Sequence, residues 1–171
     1  MSVLGRLKRV KRAFLVGTVN HFLCGTHFFG LKRTLLNSAG ITIGSNTKVV
    51  GPFIVGNSSE VTIGNDCWIG TSFSIHGDGN VTIGNCCDVG PEVSILTGSH
   101  EIGSSARRAG AGISFSLRVG NGCWIGAQAT LMGNTDVGDG TVVAACALVN
   151  HPTAKNVVVG GVPAKTIRGL Q

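Results

Sequence analysis

His100 is the side chain of this sequence best placed for acid–base chemistry. It ends the segment Thr97–His100, and the stretch that follows, residues 101–117, is rich in Gly, Ser and Ala. An imidazole has an ordinary pKa of about 6.5, so it accepts a proton near neutral pH. A histidine held by a rigid scaffold beside a loop suits a general base, whereas a surface histidine makes only local hydrogen bonds. Position alone leaves both interpretations open.

A few other polar side chains are candidates for contact with a substrate. His76 is followed by Gly77-Asp78-Gly79, a sequence typical of turns, and Arg107 and Arg108 lie in the Gly-rich stretch after His100. We interpret His76, Asp78 and the two arginines as substrate contacts. The alternatives are a structural turn for His76 and solvent-facing positions for the arginines.

An aliphatic residue at every sixth position predicts the scaffold that holds these side chains. The residue after it is usually Gly or another small residue, and this period is typical of an all-β chain folded as a parallel β-helix of hexapeptide repeats. Each coil of such a helix adds one strand spacing, roughly 4.8 Å. The repeating positions are Ile63, Ile69, Ile75, Ile83, Val89, Ile95, Val119, Ile125, Leu131, Val137, Val143 and Val149.

The spacing of the repeats predicts one large interruption. Between Ile83 and Val119 the interval is 36 residues, yet only one coil can be read there. We therefore expect a loop, about residues 101–118, to be ejected from the β-helix, and long loops in compact domains are often functional. Residues 1–40 lie outside the repeat and are expected to form a basic helical or irregular cap, with the β-helix domain over residues 41–171.

Basic residues are concentrated at the N-terminus. Half of the 14 Lys and Arg residues precede position 34, and the first acidic residue is Glu60. Residues 4–14 predict a basic amphipathic helix, which would cap the open end of the β-helix or lie on an anionic membrane surface. No nucleic-acid recognition motif is present, so no nucleic-acid partner is expected. We expect a cytoplasmic protein, with peripheral attachment to the inner membrane surface as a further option.

The cysteines fit packing better than metal binding. Cys67, Cys87 and Cys123 share the fifth position of their hexads, where small residues stand elsewhere. We interpret them as small buried hydrophobic residues. The sequence contains no C-x-x-C pair, so neither a metal site nor a disulfide is expected.

Three segments, taken together and in order, resemble the hexapeptide-repeat acyltransferases. They are residues 94–100, Val119–Gly126 and Gly161–Lys165, and the resemblance covers roughly residues 40–168. The nearest branch resembles the maltose and galactoside acetyltransferases and the sugar O-acetyltransferases of polysaccharide pathways. This resemblance implies a left-handed β-helix and homotrimers with acetyl-CoA in the groove between neighbouring subunits, and it implies no metal.

The resemblance also implies roles for individual residues. His100 matches the histidine that removes the proton from the acceptor hydroxyl. Gly70 stands where the galactoside-type enzymes have an asparagine, which implies a different acceptor pocket. The positions that match coenzyme contacts are Ala127 and Ala145 for the pantetheine arm, Lys165 and Arg168 for the phosphates, and Trp124 near the acyl group.

From the residues and the resemblance we expect an acetyl-CoA-dependent O-acetyltransferase. Its expected acceptor is a sugar hydroxyl, in the biosynthesis of surface polysaccharide. One alternative is another acceptor, such as a nucleotide-linked amino sugar or serine. A second alternative, from a different class, is a β-helix that serves as a scaffold without catalysis.

Overall fold

Two helices precede a long series of short strands. The computed structural model describes residues 3–56 and 59–171, in which α1 is Val3–Phe22 and α2 is Phe29–Ser38. The strands are β1 (Thr42–Ile43), β2 (Lys48–Val49), β3 (Phe53–Val55), β4 (Val61–Ile63), β5 (Trp68–Ile69), β6 (Phe73–His76), β7 (Val81–Ile83), β8 (Asp88–Val89), β9 (Ser94–Leu96), β10 (Gly98–Ile102), β11 (Ala109–Ser114), β12 (Leu117–Val119), β13 (Trp124–Ile125), β14 (Thr130–Met132), β15 (Asp136–Val137), β16 (Val142–Val143), β17 (Leu148–Val149), β18 (Val157–Gly161) and β19 (Ala164–Gly169).

The strands form a parallel β-helix with three faces, which confirms the fold that the six-residue period predicts. Sheet A contains β1, β4, β7, β12 and β15, and sheet C contains β3, β6, β9, β14 and β17. Sheet B contains β2, β5, β8, β13, β16 and β18, closed by the antiparallel strand β19. The register steps by 20 residues from Thr42 to Thr62 and from Thr62 to Thr82, then by 18 from Arg118 to Asp136.

Alternation along each strand builds the core. Strands β4 and β7 each have three residues, of which the first and third are buried and the central threonine is exposed. This pattern arises because successive side chains of a strand point to opposite faces. The repeated aliphatic positions therefore stack inside the coils. Cys67, Cys87 and Cys123 are buried in this stack, as expected. Contacts with Cys123 and Cys67, together with burial, raise the pKa of the Cys87 thiol, so it stays protonated.

Both helices lie over the first coil. The second half of α1 contacts β3, and α2 contacts β1 and β2. Val16, Val19 and Leu36 are buried there, and the Lys32 ammonium is buried too, donating to the Gly25 and Val50 carbonyls at 2.7 and 3.1 Å. These contacts cover the open end of the β-helix, as a solenoid requires. Within the described residues, neither helix is long and apolar enough to cross a membrane.

The interruption of the repeat is a β-hairpin. Strands β10 and β11 pair antiparallel between β9 and β12, so β7 and β12 are direct neighbours across the 36-residue interval. The excursion from the coils is therefore Gly98–Ser114, which begins earlier than the sequence indicates. Leu117 and Arg118, assigned to the loop by sequence, lie in β12 instead, because Leu117 is buried in register with Val81. Pairing across the Gly- and Ala-rich stretch accounts for this difference.

Candidate active site

The hairpin holds His100 in a defined orientation. His100 lies in β10 opposite Gly112, and the register shifts between His100 and Ile102. Such a bulge re-aims a side chain locally. The ring Nδ1 lies 3.0 Å from the Gly110 carbonyl oxygen. Because a carbonyl oxygen only accepts, the neutral ring carries its hydrogen on Nδ1, and Nε2 is left with a lone pair for an incoming proton.

Thr97 anchors the base of this hairpin. Its backbone N–H and its hydroxyl both donate to the His76 carbonyl, at 2.8 and 3.0 Å. The same hydroxyl accepts from the Gly79 N–H at 3.1 Å, and the Thr97 carbonyl accepts from the Phe115 N–H at 2.7 Å. A Cβ on Gly79 would overlap the Phe115 carbonyl oxygen, so this corner requires glycine. Thr97 thus ties both ends of the hairpin to the coil below.

Thr97→Val should weaken the fold and the hairpin together. The substitution keeps the shape but leaves the buried Gly79 N–H without an acceptor, which costs about 1–3 kcal/mol. We expect that loss in the free energy of unfolding, measured with urea, and a fall in kcat. The control is Thr47→Val, because Thr47 also accepts from a backbone N–H and donates to a carbonyl, but in the first coil. An equal fall in kcat for both variants would contradict a role of Thr97 in positioning the hairpin.

A surface cavity lies beside the His100 ring. Its volume is about 410 Å³, and Asp78, Ser99, His100 and Ser114 are among the residues that line it. The structure therefore places Asp78 and His100 at one cavity, and substrate contact by Asp78 stays a prediction. His76 is exposed at the end of β6 and does not line this cavity.

The two loop arginines lie at the tip of the hairpin. The Arg108 guanidinium donates to the Gly103 carbonyl at 3.3 Å, and the Arg107 backbone N–H donates to the Ser104 carbonyl at 3.1 Å. Both residues are exposed and neither lines the cavity beside His100. Arg108 therefore supports the tip in this conformation, and substrate contact by either arginine stays a prediction.

The predicted pantetheine positions line one groove. This groove, of about 390 Å³, follows the edge between sheets B and C and is lined by Gly90, Trp124, Ala127 and Ala145 among others. Within the described chain, the N–H groups of Ala127 and Ala145 donate no hydrogen bond. A Cβ on Gly90 would come within 2.7 Å of the Ala127 nitrogen, so glycine is required where these two coils meet beside the groove. It therefore offers two free backbone donors beside an apolar wall.

The predicted phosphate contacts lie at the end of the same sheet. Trp124, Val142, Val158 and Arg168 are successive partners in register, so Arg168 shares the outer row of sheet B with Trp124, three strand spacings or roughly 14 Å away. Lys165 is exposed and pairs with Gly160. Gly160 lies against the side chain of Ala144, which lines the end of the groove. Both cations therefore extend the line of the groove.

A further cavity was not predicted from the sequence. It measures about 630 Å³ and lies between α2 and sheet B, where Phe29, Arg33, Asp66, Trp68 and Asp88 line it. The Phe29 and Trp68 rings meet edge to face with their centroids 5.9 Å apart. Trp68, Asp88 and Trp124 are successive partners in register, so this cavity adjoins the groove. The sequence signal that could have indicated this cavity is that Trp68 and Trp124 occupy the same position of their hexads.

The groove and His100 lie at different edges of the β-helix. The groove follows the turns that lead from sheet B to sheet C, after β8, β13 and β16. The hairpin leaves the turn that leads from sheet C to sheet A, between β9 and β12. The width of sheet C therefore separates the two within one chain.

The repeat and part of the sequence match known acetyltransferases. The family model described as bacterial transferase hexapeptide (six repeats) matches residues 117–151. Galactoside O-acetyltransferase of Escherichia coli (strain K12) is 31% identical over 78 residues, which are 46% of this chain and 38% of that protein. The chain thus spans well under half the length of this curated relative in the match.

Solved structures share the fold over nearly the whole chain. A hexapeptide-repeat acetyltransferase of Vibrio cholerae, solved with acetyl coenzyme A, matches with a TM-score of 0.84 at 24% identity, covering 99% of this chain and 91% of that one. A galactoside acetyltransferase in complex with coenzyme A gives 0.78 at 24% identity, covering 100% and 84%. The chain therefore has the fold of the hexapeptide-repeat acetyltransferases, a left-handed β-helix, and its residues 117–151 match the hexapeptide-repeat family model.

Proposed function

We propose that the protein is an O-acetyltransferase that transfers the acetyl group of acetyl-CoA to a sugar hydroxyl. The observation that carries the proposal is the groove with two unbonded backbone N–H groups, at Ala127 and Ala145. These donors suit the amide carbonyls of a pantetheine arm. Support comes from the relatives, since the galactoside O-acetyltransferase acts on a sugar and the Vibrio cholerae protein was solved with acetyl coenzyme A.

His100 supplies the base in the proposed mechanism. Its Nε2 takes the proton of the acceptor hydroxyl while that oxygen attacks the carbonyl carbon of the acetyl thioester. The tetrahedral oxyanion is stabilised by a backbone N–H, and its collapse breaks the carbon–sulfur bond. The imidazolium returns its proton to the leaving sulfur, so the products are the O-acetyl ester and coenzyme A as its thiol. The Gly110 carbonyl keeps the ring oriented and stabilises the imidazolium.

The acceptor is proposed to lie in the cavity between α2 and sheet B. Trp68 offers an apolar face to a sugar ring, while Arg33, Asp66 and Asp88 offer hydrogen-bonding groups for hydroxyls. Because Trp68 and Trp124 lie on either side of Asp88 in one row, an acceptor there would be next to an acetyl group at Trp124. This placement is compatible with Gly70, which provides no side chain for acceptor contact.

The proposed active site is shared between subunits of a homotrimer. His100 and the groove lie at different edges of one chain, so a single subunit would not bring the base to the thioester. Cyclic symmetry places the hairpin edge of one copy beside the groove edge of the next. The outward, half-buried positions Ser94 and Thr130 of sheet C carry no charge, which favours contact with another copy.

We place this reaction in the cytoplasm, in the biosynthesis of surface polysaccharide. All six cysteines are free thiols, as expected in a reducing compartment. The oriented His100 ring argues against the scaffold alternative, because a scaffold would not require a histidine with a free Nε2.

A thiol-release assay with acetyl-CoA tests the proposal. The purified protein is incubated with acetyl-CoA and a panel of sugars, nucleotide-linked amino sugars and serine, and the coenzyme A thiol is titrated. We expect release only with a sugar hydroxyl acceptor, and mass spectrometry should find one added acetyl group. Release with serine or with an amine instead would replace the acceptor class. No release with any acceptor, together with no binding of acetyl-CoA, would favour the scaffold.

A further inference from the structure

We propose that the first half of α1 lies on the surface of an anionic lipid bilayer. Its apolar residues Val3, Leu7, Val10 and Phe14 are 84%, 67%, 66% and 71% exposed. This apolar stripe, as we call these four residues, follows the three- and four-residue spacing that places side chains on one face of a helix. The inference is independent of the acetyl transfer proposed above and stands or falls separately.

The apolar stripe is not the face with which α1 packs on the protein. Leu15, Val16 and Val19 face the β-helix, and Val16 and Val19 are buried there. At 3.6 residues per turn, this packing face lies on nearly the opposite side of the helix from the apolar stripe. The helix therefore carries two apolar faces, and only one is used within the described chain. Exposed apolar groups in a row of this length indicate a contact surface.

Cations border the apolar stripe on both sides. By the same helical geometry, Arg6 lies on one flank and Lys11 on the other, with Lys8 and Arg9 farther round. Lys8, Arg9, Lys11 and Arg12 also line a cleft of about 470 Å³ together with Glu60. The helix itself contains no Asp or Glu. An apolar face bordered by Lys and Arg, with no acid on the helix, is typical of a helix lying in the plane of a bilayer.

The charge favours an anionic lipid surface over a second copy of the chain. A second α1 placed against the apolar stripe would bring two sets of cations together, with no carboxylate on either helix to compensate. Anionic headgroups provide the complementary charge, and the cytoplasmic leaflet attracts basic segments in this way. The apolar stripe then enters the boundary between headgroups and acyl chains while α2 and the β-helix stay on the aqueous side.

Vesicle flotation with the full chain tests the inference. We expect the protein to float with vesicles that contain phosphatidylglycerol and to stay in solution with vesicles of phosphatidylcholine alone. High salt should release it, because exposed charges are screened. The double substitution Leu7→Glu with Phe14→Glu should abolish flotation, whereas Arg6→Gln or Lys11→Gln should weaken binding roughly fivefold each. The matched control is Ile102→Glu, which changes a 90% exposed residue of the hairpin and should float like the wild type.

Light scattering on the same proteins tests whether a second copy of the chain, and not a bilayer, covers the apolar stripe. We expect the double variant to keep the thermal unfolding temperature and the oligomeric mass of the wild type, since the altered side chains are exposed. A change of oligomeric mass in that variant would make the apolar stripe a contact between subunits and overturn the inference. Failure of the wild type to bind anionic vesicles, or flotation of the double variant equal to the wild type, would overturn it as well.

Discussion

His100→Asn is expected to lower kcat for acetyl transfer by about 10²- to 10⁴-fold, the range that a general base contributes. Asparagine is the informative replacement because its side-chain amide can donate to the Gly110 carbonyl, as the Nδ1–H of His100 does. The hairpin should therefore keep its conformation while the acceptor for the hydroxyl proton is lost. The measurement is kcat from thiol release, with the dissociation constant for acetyl-CoA determined separately and expected to be unchanged.

The control for this substitution is His151→Ala. His151 is an exposed histidine whose ring contacts Asn150 within the last turns, two coils from the hairpin, so its removal should leave kcat unchanged. A kcat for His100→Asn within a few-fold of the wild type would remove His100 from the proton transfer. A rise in the acetyl-CoA dissociation constant with unchanged kcat would make it a binding residue instead.

The scaffold could be predicted from the sequence because one physical rule governs it. Each repeating aliphatic position must fill the same interior site in every coil, so Ile63, Ile83 and Val119 recur at intervals that the chain itself displays. The cysteine positions follow for the same reason. The buried thiols of Cys67, Cys87 and Cys123 occupy equivalent places in neighbouring coils.

The hairpin and the acceptor cavity could not be predicted in this way. The Gly- and Ala-rich stretch has neither a clear alternation nor a six-residue period, so the pairing of His100 with Gly112 is visible only in three dimensions. The role of Thr97 could not be predicted either, because its hydrogen bonds to His76 and Gly79 span 21 and 18 residues of sequence. The cavity at Trp68 requires α2, whose position over sheet B is set by packing and not by the repeat.

Ala145→Phe is expected to raise the dissociation constant for acetyl-CoA by about two orders of magnitude. The new ring would fill the groove beside Ala127, so the pantetheine arm would lose its apolar contacts and its backbone hydrogen bonds. Losses of this kind sum to about 3 kcal/mol, which corresponds to about 100-fold in affinity. Because Ala145 is exposed, stability should change by less than about 0.5 kcal/mol.

Calorimetric titration with coenzyme A measures this effect. The control is Ala13→Phe, which adds the same ring at an exposed position of α1 and should leave the dissociation constant unchanged. Equal affinities of the Ala145 variant and the wild type would show that the coenzyme does not use this groove.

Combining the two impaired variants, assayed with acetyl-CoA well below the dissociation constant of the Ala145 variant, tests whether the active site is shared. In a trimer that combines His100→Asn chains with Ala145→Phe chains, some sites pair an intact groove from the first with an intact His100 from the second. If the site lies between subunits, co-expression should restore roughly a quarter of the sites when the chains assemble at random. Separately purified variants mixed without exchange of subunits should keep the low rates of the single variants. If co-expression also gives no activity, the site does not lie between subunits. Because the hairpin and the groove lie at different edges of the chain, each chain would then have to bend across sheet C to bring them together.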